Sequence, residues 1–202
     1  MSSQPKIADS GSRSTFSTGA VRDSQSGKAR FDLLPYVTLN DIYGHVGYTN
    51  YPYLAEWALA THFGMGAEKY MERNWEKGIP LHTYYNSAKR HCIKEICNWT
   101  DEPHLVALCW NLVCLLWTMD TIAGGGLPEE LWTFPGKVDF IDFKLESEVI
   151  HEDTSIVNLL CECSDQLSQY FYNDFHPKCL ISAFTCAMTA LEFKERLTNG
   201  PQ

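Results

Sequence analysis

The stretch at residues 105–117 constrains the fold most strongly, because nearly all of its side chains are apolar. It is shorter than the roughly 20 residues that a membrane-spanning helix needs, and Asn111 interrupts it. Pro103 suits the first position of a helix, and the apolar pattern continues to about Met119, before the glycines at 124–126. We therefore expect a buried central helix and an all-α fold, a compact multi-helix bundle in which the other helices pack around it.

Three polar residues interrupt this helix at intervals of seven residues. They are His104, Asn111 and Thr118, and this spacing places them on nearly one stripe of a helix. We interpret the stripe as facing a functional site, where His104 contacts a metal or phosphate and Asn111 orients a ligand or reads the edge of a base. The alternative is structural: His104 is then a core histidine, and Asn111 satisfies a neighbouring helix.

Apolar residues at helical spacing predict further helices before the central one. The first begins near Tyr51, and Gly64 and Gly66 are expected to interrupt or kink it before a second helical piece at 67–73. The next helix covers about 86–98.

The sequence after the glycines predicts an irregular connection and two amphipathic helices. A short strand is expected near 138–141. The two apolar stripes run through Ile156, Leu160, Cys163, Leu167 and Tyr170, and through Leu180, Phe184, Met188 and Leu191. On the 86–98 helix, Lys89 and Lys94 fall outside the apolar stripe, and we expect both to be solvated.

These patterns divide the chain into four segments. Residues 1–27 are rich in Ser, Gly and polar residues, and we interpret them as a mobile N-terminal arm that orders on binding. We expect a helical domain at 28–123, an irregular connection at 124–153 and a C-terminal helical pair, a helical extension, at 154–202.

The charge and the cysteines indicate the surroundings of the protein. A formal net charge of -9 argues against a nucleic-acid partner, which would require a basic face. The N-terminus lacks the apolar core of a signal peptide, so we expect a cytoplasmic protein with no membrane partner. The eight cysteines include no Cys-x-x-Cys pair, and we expect them to be small buried residues in a reducing cytosol.

Carboxylates that could hold a divalent metal ion concentrate in one part of the chain. They are Glu56, Glu68, Glu72, Glu95, Asp101 and Glu102. Magnesium prefers carboxylate oxygens, and these side chains could converge if their helices pack as neighbours. The alternative for each is a solvated helix face, which fits Glu72 and Glu95 best.

Other side chains of the same segment could bind a ligand. Lys69 and Arg90 could contact phosphates, and Trp75 could stack on a base. His91 and Glu95 lie four residues apart, a spacing that could form a metal-binding pair on a helix. The plainer interpretations are solvated charges and a core aromatic residue. The sequence contains neither a phosphate-binding P-loop nor a nucleophile elbow.

Several motifs, in order along the chain, resemble those of a known family. They are Ser17-Thr18-Gly19-Ala20, Arg22-Asp23, Gly27-Lys28-Ala29-Arg30-Phe31-Asp32-Leu33-Leu34-Pro35, Gly66-Ala67-Glu68-Lys69-Tyr70, Arg73-Asn74-Trp75-Glu76-Lys77-Gly78, Arg90-His91, and Asp101-Glu102-Pro103-His104-Leu105 leading to Asn111. On these motifs the chain resembles the phage-encoded dATP/dGTP diphosphohydrolases, which are grouped with the MazG-like all-α pyrophosphohydrolases.

The resemblance implies a MazG-like bundle, a reaction that depends on Mg²⁺ (or Mn²⁺), and a purine deoxynucleotide as substrate. Catalytic roles are implied for Glu68, Asp101, Glu102 and His104. Metal ligation is implied for Glu56, Glu68, Glu72, Glu95, Asp101 and Glu102. Substrate contacts are implied for Lys28, Arg30, Lys69, Asn74, Trp75, Arg90, His91 and Asn111. The N-terminal arm is expected to close over the site.

We therefore expect hydrolysis of dGTP or dATP to the monophosphate and pyrophosphate, in the host cytoplasm if the protein is phage-encoded. A helical unit this small often leaves an apolar face uncovered, so we also expect a homo-oligomer. The alternative is a non-catalytic nucleotide-binding or interaction protein on the same scaffold. It is motivated by the short connection Asn98-Trp99-Thr100, where family members usually carry a longer acidic loop.

Overall fold

The computed structural model describes residues 11–43, 51–135, 155–172 and 177–199. The strand predicted near 138–141 lies outside the described residues. Within those ranges the chain is helical except for one small hairpin, three short 3-10 turns and the connecting loops. The prediction of an all-α bundle is confirmed.

Six α-helices and two short strands lie within the described residues. The helices are α1 (Tyr36–Tyr43), α2 (Tyr53–Tyr70), α3 (Leu81–Ile96), α4 (His104–Ala123), α5 (Ile156–Tyr172) and α6 (Pro177–Asn199). Strands β1 (Arg13–Thr15) and β2 (Val21–Asp23) pair antiparallel inside the predicted N-terminal arm. Their side chains are mostly exposed, so no alternation of apolar residues marks them in the sequence.

α4 lies at the centre of the bundle, as its apolar sequence predicts. It packs against α1, α2, α3 and α6, and most of its side chains are buried. Its length and composition would allow it to cross a membrane, but 78% of it is buried inside the fold. Burial of a side chain such as Leu112 stabilises the fold by roughly 1.5–3 kcal/mol relative to exposure. A core position therefore accounts for the composition of α4.

Two residues of the polar stripe of α4 hydrogen-bond to their own helix. Nδ2 of Asn111 donates to the carbonyl oxygen of Ala107 at 2.8 Å, and Oγ1 of Thr118 donates to that of Cys114 at 2.7 Å. Both side chains are buried and satisfied by their own helix, as buried polar groups require. Of the three residues, only His104 contacts other candidate site residues.

α2 is continuous where the sequence predicts an interruption. Gly64 and Gly66 lie inside it, Glu68 lies in its last turn, and Glu72 follows after the helix has ended. The predicted separate helix at 67–73 is therefore wrong. The glycines cost helix propensity but leave the backbone hydrogen bonds intact, so flanking packing can hold the helix together.

Gly64 allows a close approach of the chain that precedes α1. A Cβ at this position would lie 3.0 Å from the carbonyl oxygen of Lys28 and 3.2 Å from Cγ of Arg30. The backbone N–H of Arg30 donates to the carbonyl oxygen of Ala60 at 3.0 Å. The missing side chain thus lets the N-terminal segment pack directly on α2.

α3 begins earlier than predicted, and Lys89 is not solvated as expected. Nζ of Lys89 donates to the carbonyl oxygen and to Oγ of Ser164 at 2.7 and 2.9 Å, and to Oγ of Ser168 at 2.9 Å. These residues of α5 are distant in sequence and lie over the flank of α3 that the helical pattern leaves open. Lys94 stays at the surface, where it pairs with Asp101.

The two C-terminal helices complete the core. Their predicted apolar stripes are buried, with Ile156 partly so. Glu192 of α6, itself buried, accepts hydrogen bonds from the backbone N–H groups of Leu54 and Ala55 at 2.7 and 2.9 Å. A carboxylate at this position satisfies the first amides of α2 and interacts favourably with the helix dipole.

The cysteines follow the predicted pattern in six of eight positions. These six are buried, whereas Cys97 and Cys161 are exposed.

Candidate active site

Two histidines and a carboxylate meet where the end of α3 approaches the start of α4. Nδ1 of His91 lies 3.1 Å from Nδ1 of His104, and Oε1 of Glu102 lies 3.6 Å from the first atom and 3.5 Å from the second. The His104 side chain is fully buried, that of His91 is 15% exposed, and that of Glu102 is 46% exposed. The three donor atoms therefore form a cluster that opens to solvent on the side of Glu102.

The short connection between α3 and α4 creates this cluster. Asn98 adopts a φ of 55°, a left-handed conformation that Asn tolerates better than most residues. The N–H of Trp99 donates to the carbonyl oxygen of Lys94 at 2.9 Å, and Nζ of Lys94 lies 5.2 Å from the centre of the Trp99 ring. The chain thus reverses within a few residues and returns Glu102 to the flank of α3.

Asp101 orients His104 from the other side of the imidazole ring. Its Oδ1 accepts from Nε2 of His104 at 2.8 Å, and its Oδ2 accepts from Nζ of Lys94 at 2.8 Å. These two hydrogen bonds, that of Lys94 first, lower the pKa of Asp101 to about 2. Because Nε2 donates to a carboxylate, Nδ1 of a neutral His104 carries a lone pair directed at the cluster.

A pocket of about 340 Å³ lies beside the C-terminal half of α2. This volume is at the lower end of the range for small-molecule sites, about 300–1,000 Å³. Its lining is largely aromatic and aliphatic, with a few polar groups. The lining residues are Leu33, His62, Phe63, Gly66, Ala67, Tyr70, Met71, Arg73, Asn74, Trp75, Ile79 and Trp110.

Two residues of the pocket lining carry buried polar atoms that lack a partner in the described ranges. These atoms are Nδ1 of His62 and Nε1 of Trp75. The ring of Trp75 packs against those of Phe63 and Trp117, with centroids 5.5 and 4.7 Å apart. Trp75 is thus a core aromatic residue, as one interpretation of the sequence has it, and it also lines the pocket.

His62 is a histidine of the pocket lining. Its ring centroid lies 6.3 Å from that of Trp110, another lining residue. Burial lowers the pKa of His62; His91 lowers it further, and Glu102 acts in the opposite direction. Sequence reasoning missed His62 because a single histidine in an apolar helical pattern has no motif that marks it.

Glu68, Arg30 and Glu72 hold the N-terminal arm on the end of α2. Glu68 accepts from Oγ of Ser26 at 2.7 Å and from the N–H of Gly27 at 3.1 Å. The guanidinium of Arg30 pairs with Asp32 at 2.7 Å and with Glu72 at 2.8 Å. Arg30 precedes Leu33, a pocket residue, so these contacts place the arm next to the pocket.

The remaining predicted metal ligands do not converge on the cluster. Glu56 and Glu68 are separated by twelve residues of α2, about 18 Å of helix, so one ion cannot bind both. Glu56 accepts from the hydroxyl of Tyr36 at 3.0 Å, and Glu95 pairs with Lys194 of α6. His91 and Glu95 therefore do not form the predicted helical pair.

The predicted substrate contacts lie in different surroundings. Asn74 lines the pocket, whereas Lys28 and Arg90 are exposed, and Nη2 of Arg90 donates to Oγ of Ser87 at 2.9 Å. Lys69 is exposed, and its Nζ lies 4.9 Å from the centre of the Tyr70 ring, a contact that is the main cause of its raised pKa.

This arrangement joins an apolar cleft to a group of metal-ligand side chains. The cleft can hold a flat ring system, and the cluster can hold a divalent cation beside negatively charged oxygens. The pocket and the cluster both use residues of α4, since Trp110 is six residues, about 9 Å, from His104.

Comparison with known proteins identifies the family. The family model described as dATP/dGTP diphosphohydrolase, N-terminal, matches residues 18–124, more than half of the 202 residues. No curated protein and no solved structure matches the chain. The match contains α1 to α4, the pocket and the histidine cluster, and the chain therefore belongs to the dATP/dGTP diphosphohydrolase family of hydrolases.

Proposed function

We propose that the protein hydrolyses a purine deoxynucleoside triphosphate, dGTP or dATP, with a divalent metal ion. Water adds to the α-phosphorus, and the bond to the bridging oxygen of the β-phosphate breaks, so that the products are the monophosphate and pyrophosphate. The observation that carries this proposal is the aromatic pocket next to the cluster of His91, Glu102 and His104, within the part of the chain that matches the family.

The pocket lining fits a purine base. Tyr70, Trp75 and Trp110 offer aromatic surface for a flat ring. Asn74 lies in the same lining, and its amide can both donate to and accept from the edge of a base. We assign the base to this pocket, which directs the phosphates towards His62 and the cluster.

The cluster fits a divalent ion. Donor atoms bound to one ion at about 2.1 Å lie roughly 3.0–3.4 Å from one another, close to the spacing of 3.1, 3.5 and 3.6 Å found here. His91, Glu102 and His104 would hold the ion. When bound, it would neutralise phosphate oxygens and activate water.

A positive side chain beside the pocket suits a triphosphate. Lys69 is an exposed cation in the last turn of α2, between the pocket residues Ala67 and Tyr70, and we assign it to the phosphates. The arm, held by Glu68 and by the pairing of Arg30 with Glu72, borders the pocket and can exclude water from it. Glu68 thus acts by positioning the arm.

The test is the release of pyrophosphate from dGTP and dATP in the presence of Mg²⁺ or Mn²⁺. Glu102→Gln removes a ligand charge, and we expect kcat to fall by about 100-fold or more, beyond the 10–100-fold typical of groups that only support a ligand. Glu130→Gln, the same change on an exposed carboxylate far from the cluster in sequence, is the matched control and should retain the wild-type rate.

Two outcomes contradict the proposal. One is a full rate in Glu102→Gln with unchanged helical content by circular dichroism. The other is nucleotide binding without product for every divalent ion tried, which would support the non-catalytic alternative.

We also propose a homo-oligomer. The apolar side chains of Val37, Tyr53 and Trp57 on α1 and α2 are exposed, and an uncovered apolar surface is typical of an interface. Light scattering coupled to gel filtration tests this, and a monomer at all concentrations would contradict it. The cytoplasmic location and the phage origin stay predictions.

A further inference from the structure

We propose that His91, Glu102 and His104 form a site that selects a transition metal ion such as Mn²⁺ or Co²⁺ over Mg²⁺, with Asp101 as a positioning residue. The inference deepens the proposed function, on which its catalytic meaning rests. Metal binding itself can be measured without turnover.

The chemistry of the donor atoms carries the selectivity. Two of the three are imidazole nitrogens, and only one is a carboxylate oxygen. Mg²⁺ requires near-ideal octahedral coordination by oxygen and releases its waters reluctantly, whereas imidazole suits transition ions. Affinity at a given site of this kind rises from Mn²⁺ to Co²⁺, so the same order is expected here.

The burial of the donors leaves room for a substrate. His104 is fully enclosed and His91 nearly so, while the Glu102 side chain is half-exposed. Three protein ligands with one open side are typical of catalytic metal sites, because the remaining positions accept water or substrate. The open side is the one from which a phosphate group would approach.

Asp101 contacts the ring nitrogen of His104 that does not face the cluster. The resemblance marks Asp101 as a metal ligand, but its Oδ1 accepts from Nε2, and its other oxygen is held by Lys94. A carboxylate that accepts from the distal nitrogen of a histidine fixes the orientation of the ring and increases its basicity towards a metal. Asp101 therefore acts through His104.

The structure assembles no competing all-oxygen site from the other predicted ligands within the described ranges. Glu56 accepts from the hydroxyl of Tyr36, Glu95 pairs with Lys194, and Glu72 pairs with Arg30. Glu68 binds Ser26 and Gly27 of the arm. At the cluster itself, an ion that requires oxygen ligands could therefore use the carboxylate of Glu102 and would have to complete its coordination with water.

The experiment measures metal binding to the full chain after removal of metal with a chelator. Calorimetric titrations with Mg²⁺, Mn²⁺ and Co²⁺ give the three affinities, and the visible spectrum of Co²⁺ reports its ligands. Cys97 and Cys161 are exposed and would bind Zn²⁺ themselves, so Zn²⁺ is not used as the probe. We expect Mn²⁺ to bind at least about 10-fold and Co²⁺ about 100-fold more tightly than Mg²⁺.

The variants separate ligands from the positioning residue. His91→Gln and Glu102→Gln should each abolish tight Co²⁺ binding and its spectrum. Asp101→Asn should weaken binding by about 10–100-fold but retain the spectrum, because the ligands are unchanged. His82→Gln, on an exposed histidine of the same helix, is the matched control and should bind Co²⁺ like the wild type. His91 is partly exposed, so its variant is expected to fold, which circular dichroism checks.

The failures of the two proposals are distinguishable. Equal affinity for Mg²⁺ and Mn²⁺, or unchanged Co²⁺ binding in His91→Gln, overturns the inference about the metal, even if the enzyme hydrolyses dGTP. Selective Co²⁺ and Mn²⁺ binding with no hydrolysis of any nucleotide supports this inference and overturns the proposed function.

Discussion

The part of the chain that matches the family, residues 18–124, and the C-terminal helices α5 and α6 differ in how their polar side chains are used. In the matched part, the donor atoms of His91, Glu102 and His104 point at one another around a shared space. In the C-terminal helices, Glu192 and Lys194 reach across to other helices and find partners there. A cluster of donor atoms that is open to solvent is typical of a site that binds a ligand. Polar side chains that are each paired with a partner on another helix are typical of residues that stabilise the fold.

The C-terminal helices are nevertheless part of the same hydrophobic core. Phe184 and Tyr170 are fully buried, and the ring of Phe184 lies 6.1 Å from that of Tyr43 on α1. Absence of a family match therefore does not make this region an appendage. The comparison leads to three predictions about stability, and each asks whether the scaffold can be weakened without changing the site.

The largest effect is expected for Glu192→Ala. This change removes the acceptor of two backbone N–H groups of α2, one partly buried and one buried, and we expect a loss of about 2–3 kcal/mol in the free energy of unfolding. Urea denaturation measures this loss. Co²⁺ affinity of the folded protein should be unchanged.

Arg196→Ala is the control for this prediction. Its side chain is 60% exposed and pairs with the other oxygen of Glu192, so the loss should stay below about 1 kcal/mol. If Glu192→Ala lowered the metal affinity and not the stability, the division between site and scaffold would be wrong.

A smaller effect is expected for Lys89→Met. Methionine retains the apolar stem but removes three hydrogen bonds to Ser164 and Ser168 on α5. Because the lysine is partly buried, we expect a loss of about 1–1.5 kcal/mol in the same denaturation experiment. Lys77→Met, on an exposed lysine, should change stability by less than about 0.5 kcal/mol. Equal losses in the two variants would show that the contacts to α5 contribute nothing.

The smallest effect concerns the glycines of α2. Gly66→Ala meets no atom within 4 Å and should stabilise the helix by about 0.5–1 kcal/mol. Gly64→Ala gains the same propensity but pushes against Lys28 and Arg30, so its net stabilisation should be smaller. Trypsin should also cleave Gly64→Ala faster after Lys28. Identical stability and cleavage in both variants would mean that the packing of Lys28 and Arg30 on α2 does not require the absence of a side chain at Gly64.

Local periodicity made most of the helical fold predictable. The apolar pattern of α4 and the stripes of α5 and α6 required no knowledge of distant residues, and the structure buries them. The boundaries of α2 and α3 were predicted less well. In α2, Gly64 lies inside the helix because the segment at Lys28 packs closely against it, and no local pattern reveals that contact.

The candidate site was only partly predictable for a related reason. The sequence marked Asp101, Glu102, His104 and His91 as candidates, and the structure brings His91, Glu102 and His104 together. The sequence could not show that the Glu56 and Glu68 side chains bind Tyr36 and Ser26, nor that a single histidine of α2 borders the pocket. Such pairings depend on how helices are arranged in space, and helical spacing carries no information about them.

The contact between Glu192 and the start of α2 has a practical consequence for anyone shortening this protein. Gly66 and the pocket lie about 18 Å further along that helix from Leu54, where the carboxylate binds. A stop codon placed before position 192 would remove this carboxylate and destabilise the first turn of α2, although the pocket lies in the other half of that helix. Inactivity of such a truncated chain would therefore be no evidence that α6 touches the nucleotide.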